Sequence, residues 1–313
     1  MKRRGGNSDR PATMIPAALR SVRLLLPALI LGAIGTLTLT PVASADFLSP
    51  ENGGSPNADS INSLYWILFI LSCIVFAAVE GALIYALVKF RARKGAVPAQ
   101  IRGNTRLEIG WTVGAAVILV VIAIVTFIQL GDIRNAPSTD QTAGLQLPAA
   151  PTPGETDTPD NSAYPKDGRS LRVQVNGQQY VWRYTYPDDT PENNQDNAFD
   201  YETMVVPTDT TVTVEIKAQD VAHSWWIPRL GGKFDAIPGH TNYTWFKVPG
   251  KLAGTTFRGQ CAELCGRNHA NMIAHVKAVT PDEYTAYIER RKAEVKAGNA
   301  AAAQQRQKIE GEQ

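Results

Sequence analysis

The chain is 313 residues long, with a formal net charge of +2 and only three cysteines. That length has room for one or two domains plus additional segments. The small net charge, with basic residues gathered at the N-terminus and in one loop, excludes a nucleic-acid-binding surface, and three cysteines are too few for a disulfide framework.

Residues 1–45 start with Lys2, Arg3, Arg4, Arg10, Arg20 and Arg23, continue as an apolar run over 24–39, and end in Val42-Ala-Ser-Ala45. A basic start, an apolar centre and an Ala-x-Ala ending predict a secretory signal cleaved after Ala45. The next segment, 46–134, reads as a two-helix membrane anchor with spans over 64–88 and 111–130. Each is long enough to cross a hydrocarbon core of roughly 30 Å. Tyr65, Trp66 and Trp111 sit where an interfacial aromatic belt belongs. Lys89, Arg91, Arg93, Lys94, Arg102 and Arg106 crowd the loop between the spans, which places that loop in the cytoplasm and the rest of the chain outside. Cys73 reads as a small apolar packing residue. Glu80, inside the first span, needs a partner helix or a proton.

Residues 135–170 hold six prolines and few large apolar residues, so they read as a linker. From Leu171 the period changes to two. Segments 171–175, 180–186, 210–217, 241–248 and 272–279 alternate or are rich in β-branched and aromatic residues, with Pro and Gly between them. Short strands at such spacing predict a β-sandwich over 171–280. Tyr180, Trp182, Tyr184 and Tyr186 share one strand face. Asp188, Asp189, Glu192, Asp196, Asp200 and Glu202 form an acidic run that reads as a solvated loop or as a surface that steers a basic partner. Residues 281–313 read as a short surface helix fading into a polar tail.

The densest chemistry lies in Cys261-Ala-Glu-Leu-Cys-Gly-Arg-Asn-His-Ala-Asn-Met272, preceded by Asp220-Val-Ala-His-Ser-Trp-Trp. Thiolate and thioether sulfurs with imidazole nitrogens are the donor set that copper prefers, so the segment points to a copper electron-transfer site. Zinc would use Cys and His but has no use for the thioether. A disulfide between Cys261 and Cys265 closes too short a loop to clamp a fold and leaves the histidines and Met272 unexplained.

These residues, with Gly232-Lys-Phe-Asp-Ala-Ile-Pro-Gly239 between them, resemble the dinuclear copper (CuA) region of subunit II of cytochrome c oxidase. The resemblance runs from the membrane helices to about residue 280. It implies a cupredoxin-like Greek-key sandwich on the outer face of a bacterial plasma membrane, carrying two copper ions. It implies that His223 and His269 each bind one copper, that Cys261 and Cys265 bridge both, that Met272 is a weak axial ligand, and that Glu263 contributes its main-chain carbonyl. The Glu263 side chain would reach a magnesium or manganese ion near subunit I, close to Asp235. Asp220 and Trp225 would stand behind His223, while His240 and His275 read as structural.

The resemblance also implies an oxidoreductase subunit of a proton-pumping, aa3-type respiratory chain complex. A cytochrome c, or a cytochrome c domain, would donate electrons, and haem in subunit I would receive them for reduction of oxygen to water. Subunits I and III would be partners beside membrane lipid, and the chain alone would not be catalytic. Tyr180 and Trp182 would mark electron entry, with Tyr180 standing where the family normally has Trp. Glu108, in Glu-x-x-Trp at the cytoplasmic end of the second span, would lie at a proton-channel entrance; placement alone fits an interfacial carboxylate equally well. Other readings are a membrane-tethered copper carrier and the copper subunit of a different terminal reductase.

Overall fold

The computed structural model describes residues 49–311, apart from 93, 94, 96, 98, 141–144, 146, 148–161 and 189–195. Residues 1–45, read above as a signal, and Arg93, Lys94, Asp189 and Glu192 lie outside the described residues. The described residues fall within one unit, Leu48–Gln313.

Two long helices open it: α1 (Pro56–Lys89) and α2 (Thr105–Arg134). Proline at the first position suits a helix start, because its missing N–H would have had no partner there. At α2 the Asn104 side chain accepts the Leu107 N–H (3.2 Å), and Glu108 Oε1 accepts the Asn104 N–H (3.2 Å). Glu108 therefore caps its own helix. Both helices run past the apolar stretches 64–88 and 111–130, since capping and tertiary contacts extend them into polar sequence. Their most apolar windows have mean hydropathies of 2.6 and 2.8. Leu83, Leu87, Phe127 and Ile128 stand exposed, as a surface meant for lipid or protein neighbours would.

Ten strands follow: β1 (Leu171–Gln178), β2 (Val181–Tyr186), β3 (Ala198–Tyr201), β4 (Thr203–Pro207), β5 (Thr211–Ala218), β6 (His223–Trp226), β7 (Phe234–Ala236), β8 (Asn242–Lys247), β9 (Thr256–Cys261) and β10 (Ile273–Val279). They form two sheets, ordered β3-β2-β1-β5-β8 and β4-β10-β9-β6-β7. Most neighbours are antiparallel, but β1 runs parallel to β5 and β10 parallel to β4. Alternation in β1 turns Leu171, Val173 and Val175 inward, and in β2 it does the same for Trp182, Tyr184 and Tyr186. With Met204, Ile216, Phe246 and Phe257 they fill the space between the sheets. The aromatic stripe is thus core from Trp182 onward. Tyr180, just before β2, is partly buried.

Three expectations change. Strands β3, β4, β6, β7 and β9 lack the long alternation that marks the others, and pairing rather than sequence period defines them. The linker's described ends are packed rather than loose: Thr211 Oγ1 donates to the Pro137 carbonyl (2.7 Å), and Ala163 and Tyr164 are buried. The C-terminus is a 31-residue helix, α3 (Pro281–Gly311). It starts at a Thr280/Glu283 capping box and is anchored by buried Tyr284 and Tyr287.

Helix α3 also engages the acidic run. Lys292 pairs with Asp188 (3.1 Å), Arg291 with Asp200 (3.6 Å), Tyr287 donates to Asp200 (2.9 Å) and Asn299 to Asp196 (3.1 Å). Three of the six carboxylates are therefore tied to the chain's own C-terminus instead of forming an open acidic patch. Of the remaining histidines, His275 lies in β10 opposite Arg258, and His240 closes a turn with Ile237.

At the α3 contact, the buried Tyr186 hydroxyl accepts the Val205 N–H at 2.8 Å. Tyr186→Phe is expected to leave that donor unpaired and to cost about 1–3 kcal/mol, read as a lower unfolding temperature of the full chain in detergent.

Candidate metal centre

Strand β9 ends at Cys261 and β10 begins after Met272, so the donor-rich segment is the loop joining two neighbouring strands of one sheet. The Cys261 N–H donates to the Met272 carbonyl (2.9 Å) and closes the loop at its base. The Ala262 N–H donates to the Ser224 carbonyl (2.9 Å), tying the loop to β6 and hence to His223. Inside the loop, a 3-10 turn (His269–Asn271) carries the second imidazole. Gly266 sits at φ 125°, and a Cβ there would meet the Tyr180 hydroxyl at 2.6 Å. A side chain at this position is therefore excluded both by backbone conformation and by space.

The donor atoms converge. The two thiols are free and lie 3.9 Å apart. His223 Nδ1 is 3.9 Å from Cys261 Sγ, and His269 Nδ1 is 3.6 Å from Cys265 Sγ. Met272 Sδ is 3.9 Å from Cys265 Sγ, while the Cys261 thiol donates to the Glu263 carbonyl at 3.2 Å. Each sulfur thus has one imidazole and one weak donor beside it. His223 and Met272 are fully buried, with Cys261 at 3% and Cys265 at 4% exposure. The ligand atoms of His223, Cys261 and Cys265 all lie within 4.8 Å of one another.

Neighbouring groups fix how these donors present themselves. His223 Nε2 is 2.9 Å from Asp220 Oδ1. A carboxylate only accepts, so Nε2 carries the proton and Nδ1 keeps its lone pair toward the sulfurs. Burial opposes ionisation of Asp220, but the Gln179 N–H, the His223 ring and the Val221 N–H outweigh it and hold that carboxyl below the usual range. The Cys265 thiol is pushed up to about 11, by burial first and by the Cys261 sulfur second.

The other sequence-derived candidates divide. Trp225 lies opposite Cys261 in the β6–β9 register, but its indole N–H donates to Tyr184 (3.3 Å) and its ring stacks on Phe246. It is a core tryptophan and not a hydrogen-bond partner of His223. Trp182 is fully buried with its ring 5.8 Å from the His223 ring, so it does not present a surface. Asp235, in β7 opposite Ser224, and Glu263 are exposed carboxylates. Glu108 lies at the far end of α2 and Glu80 in α1, both remote from the loop in chain position.

Two residues escaped sequence reasoning. Gln179 donates its side-chain amide to the Cys265 carbonyl (2.7 Å) and its backbone N–H to Asp220 (2.7 Å), bracing both halves of the site. Gly177 lies under His223, where a Cβ would be 2.9 Å from Trp182 and 3.0 Å from the imidazole. A glycine inside a regular strand was the available signal for such a close approach.

The donor set can hold a soft metal ion. At metal–sulfur distances of about 2.3 Å, sulfurs 3.9 Å apart can both touch the same ion. The imidazoles stand on different sulfurs, and the thioether adds a donor suited to copper.

The sequence matches the family model described as the periplasmic domain of cytochrome c oxidase subunit II over residues 171–279, and that of its transmembrane domain over 47–128. The chain belongs to the cytochrome c oxidase subunit II family. It is 32% identical to cytochrome c oxidase subunit 2 of Alkalihalophilus pseudofirmus over 278 residues, covering 88% of this chain and 71% of that protein. Cytochrome c oxidase subunit 2 of Cereibacter sphaeroides is 30% identical over 301 residues, covering 82% of this chain and 88% of the relative. Among solved structures, the periplasmic domain of subunit II of cytochrome oxidase from Bradyrhizobium japonicum matches 40% of this chain and 95% of its own at 31% identity and a TM-score of 0.36. Membership of this oxidase subunit family agrees with the two apolar helices, the sandwich and the copper-type donor set.

The raised Cys265 thiol has a consequence for loading. Metal binding requires thiolates, so uptake must release protons. Copper affinity of the full chain should therefore climb with pH, by roughly tenfold per unit for the Cys265 proton displaced. A chelator competition titration across pH checks it; a flat profile below about pH 9 would contradict a protonated Cys265 thiol in the metal-free site.

Proposed function

We propose that this chain is the copper-bearing subunit II of a proton-pumping, aa3-type cytochrome c oxidase in a bacterial plasma membrane, with its sandwich on the outer face. In this reading it takes electrons from a cytochrome c or cytochrome c domain and passes them to haem in subunit I, where oxygen is reduced to water. The single observation that carries it is the paired arrangement of donors: two thiols side by side, each flanked by one imidazole and one weak donor.

A copper pair bound there supplies reversible one-electron chemistry. Cys261 and Cys265 would bridge it, His223 and His269 would each hold one ion, and Met272 and the Glu263 carbonyl would complete the set. The protein's contribution is rigidity. The loop is closed by backbone bonds to β10 and β6, and Asp220 and Gln179 fix the imidazole and the Cys265 peptide. Ligands that barely move between oxidation states present a low barrier to electron transfer, and the groups around them hold them still. Burial of the donors also favours a resident site over a carrier, which must give its metal up.

Further assignments follow the same reading. Tyr180, partly buried beside Gly266, is the electron entry point, with Trp182 behind it against His223. The exposed carboxylates of Glu263 and Asp235 suit a magnesium or manganese ion at the boundary with subunit I. Glu108, besides capping α2, stands at the cytoplasmic mouth of a proton path into subunit I. Subunit III and lipid cover the remaining helix faces.

Copper-loaded full chain should contain two coppers and show hyperfine structure from one electron shared equally by both. Cys265→Ser should abolish that signal, whereas Met272→Leu should keep the copper and shift the reduction potential. One copper per chain, or an unchanged spectrum in the serine variant, would defeat the assignment.

A further inference from the structure

Strand β8 is the edge of its sheet, and the polar groups on an open edge need partners. Here they come from the membrane helices rather than from another strand. Asn57, in the first turn of α1 and 3% exposed, donates its side-chain amide to the Trp245 carbonyl (2.8 Å). The Lys247 N–H donates to the hydroxyl of Ser55, the residue that precedes α1 and is 1% exposed (3.1 Å). On the other side, the Trp245 indole N–H donates to the carbonyl of Arg134, the last residue of α2 (2.9 Å). One strand is therefore hydrogen-bonded to the outer ends of both helices. Exposed membrane-surface contacts need no such buried, directional bonds to anchor a domain; a flexible tether would do.

The attitude of β8 reaches the metal centre through few intermediaries. It pairs with β5 along its length, and β5 leads within five residues to Asp220 and His223. We propose that Asn57 and Trp245 are positioning residues for the electron's departure. They lock the sandwich to the helix pair, so that the metal loop is held at one height and one orientation over the membrane, where the acceptor lies. This rests on the electron-transfer function proposed above. Electron transfer between fixed sites weakens with distance and with a change of orientation, so a frame that lets the loop lift or tilt slows it.

The test uses Asn57→Leu, Trp245→Phe and the double variant in the full chain, assembled with its oxidase partners and also alone in detergent. Asn57→Leu removes the amide at similar volume, and Trp245→Phe removes the indole donor while keeping an aromatic ring. Alone and metal-free, the variants should exchange the Lys247 amide faster, because the edge is released. Assembled and loaded, they should keep the parent copper spectrum and the parent rate of copper reduction by a small inorganic reductant. Transfer from copper to haem should be slower in the double variant than in the parent.

Faster exchange with an unchanged exit rate would overturn the proposal, since the bonds would then serve stability alone. Unchanged exchange would overturn it too, since the bonds would not hold the junction. If the double variant loses its copper spectrum, Asn57→Leu decides, because that residue lies outside the sandwich core. A parent chain without a two-copper spectrum would instead count against the function itself, while the exchange result would still report on the bracket.

Discussion

The structure depends on keeping two cysteine sulfurs 3.9 Å apart and unbonded in a nearly dry loop. Left to itself, such a loop would let the thiols swing to solvent. Three restraints oppose this. The Cys261–Met272 backbone bond makes the loop an extension of the β9–β10 ladder, the Ala262–Ser224 bond fastens it to β6, and Gln179 reaches across from the β1–β2 turn to the Cys265 carbonyl. These restraints come from both sheets of the sandwich, so the metal centre needs the whole fold and not only its loop.

The same dependence explains what could be read in the sequence. The donor set was legible because copper selects residue types, and Cys261, Cys265, His269 and Met272 stand within twelve positions. The two membrane helices were legible because their apolar runs are long, although their ends, set by caps and packing, were not. Strands β1, β2 and β10 alternate, and β5 and β8 are rich in β-branched and aromatic residues; β6 and β7 are too short to show a period, and their existence follows from pairing around His223. Gln179 carried no sign of its role, since a glutamine that braces a loop 86 positions away looks like any surface glutamine. Trp225 and Asp220 illustrate the converse. Both lie within three residues of His223, yet only Asp220 bonds to it, because the strand turns Trp225 toward Tyr184.

Helix α3 changes how the acidic run is understood. In sequence, carboxylates from Asp188 to Glu202 with no intervening Lys or Arg suggest a surface offered to a basic partner. The compensating charges exist about a hundred positions downstream, in Arg291 and Lys292, and no local reading can supply them. Surface ion pairs of this kind add little stability. Their larger effect is to lower the negative potential that the run projects.

Placement divides the run. The metal loop meets β2 at its Tyr180 end, whereas Asp188 follows its other end at Tyr186, about 20 Å away at the usual rise of roughly 3.3 Å per residue. Screening at physiological ionic strength acts over about 8 Å, so Asp188 contributes little field at the loop, whereas Glu202, whose N–H donates to the Trp182 carbonyl, lies toward the Tyr180 end. What the loop itself presents is mixed: Leu264 is 78% exposed alongside the exposed Glu263 and Arg267, and Val221 and Ile237 flank the segments that carry His223 and its paired strand. The exposed charges of the loop, Glu263 and Arg267, are of opposite sign, and the three loop restraints keep fixed the shape in which they and Leu264 are presented close to the sulfurs.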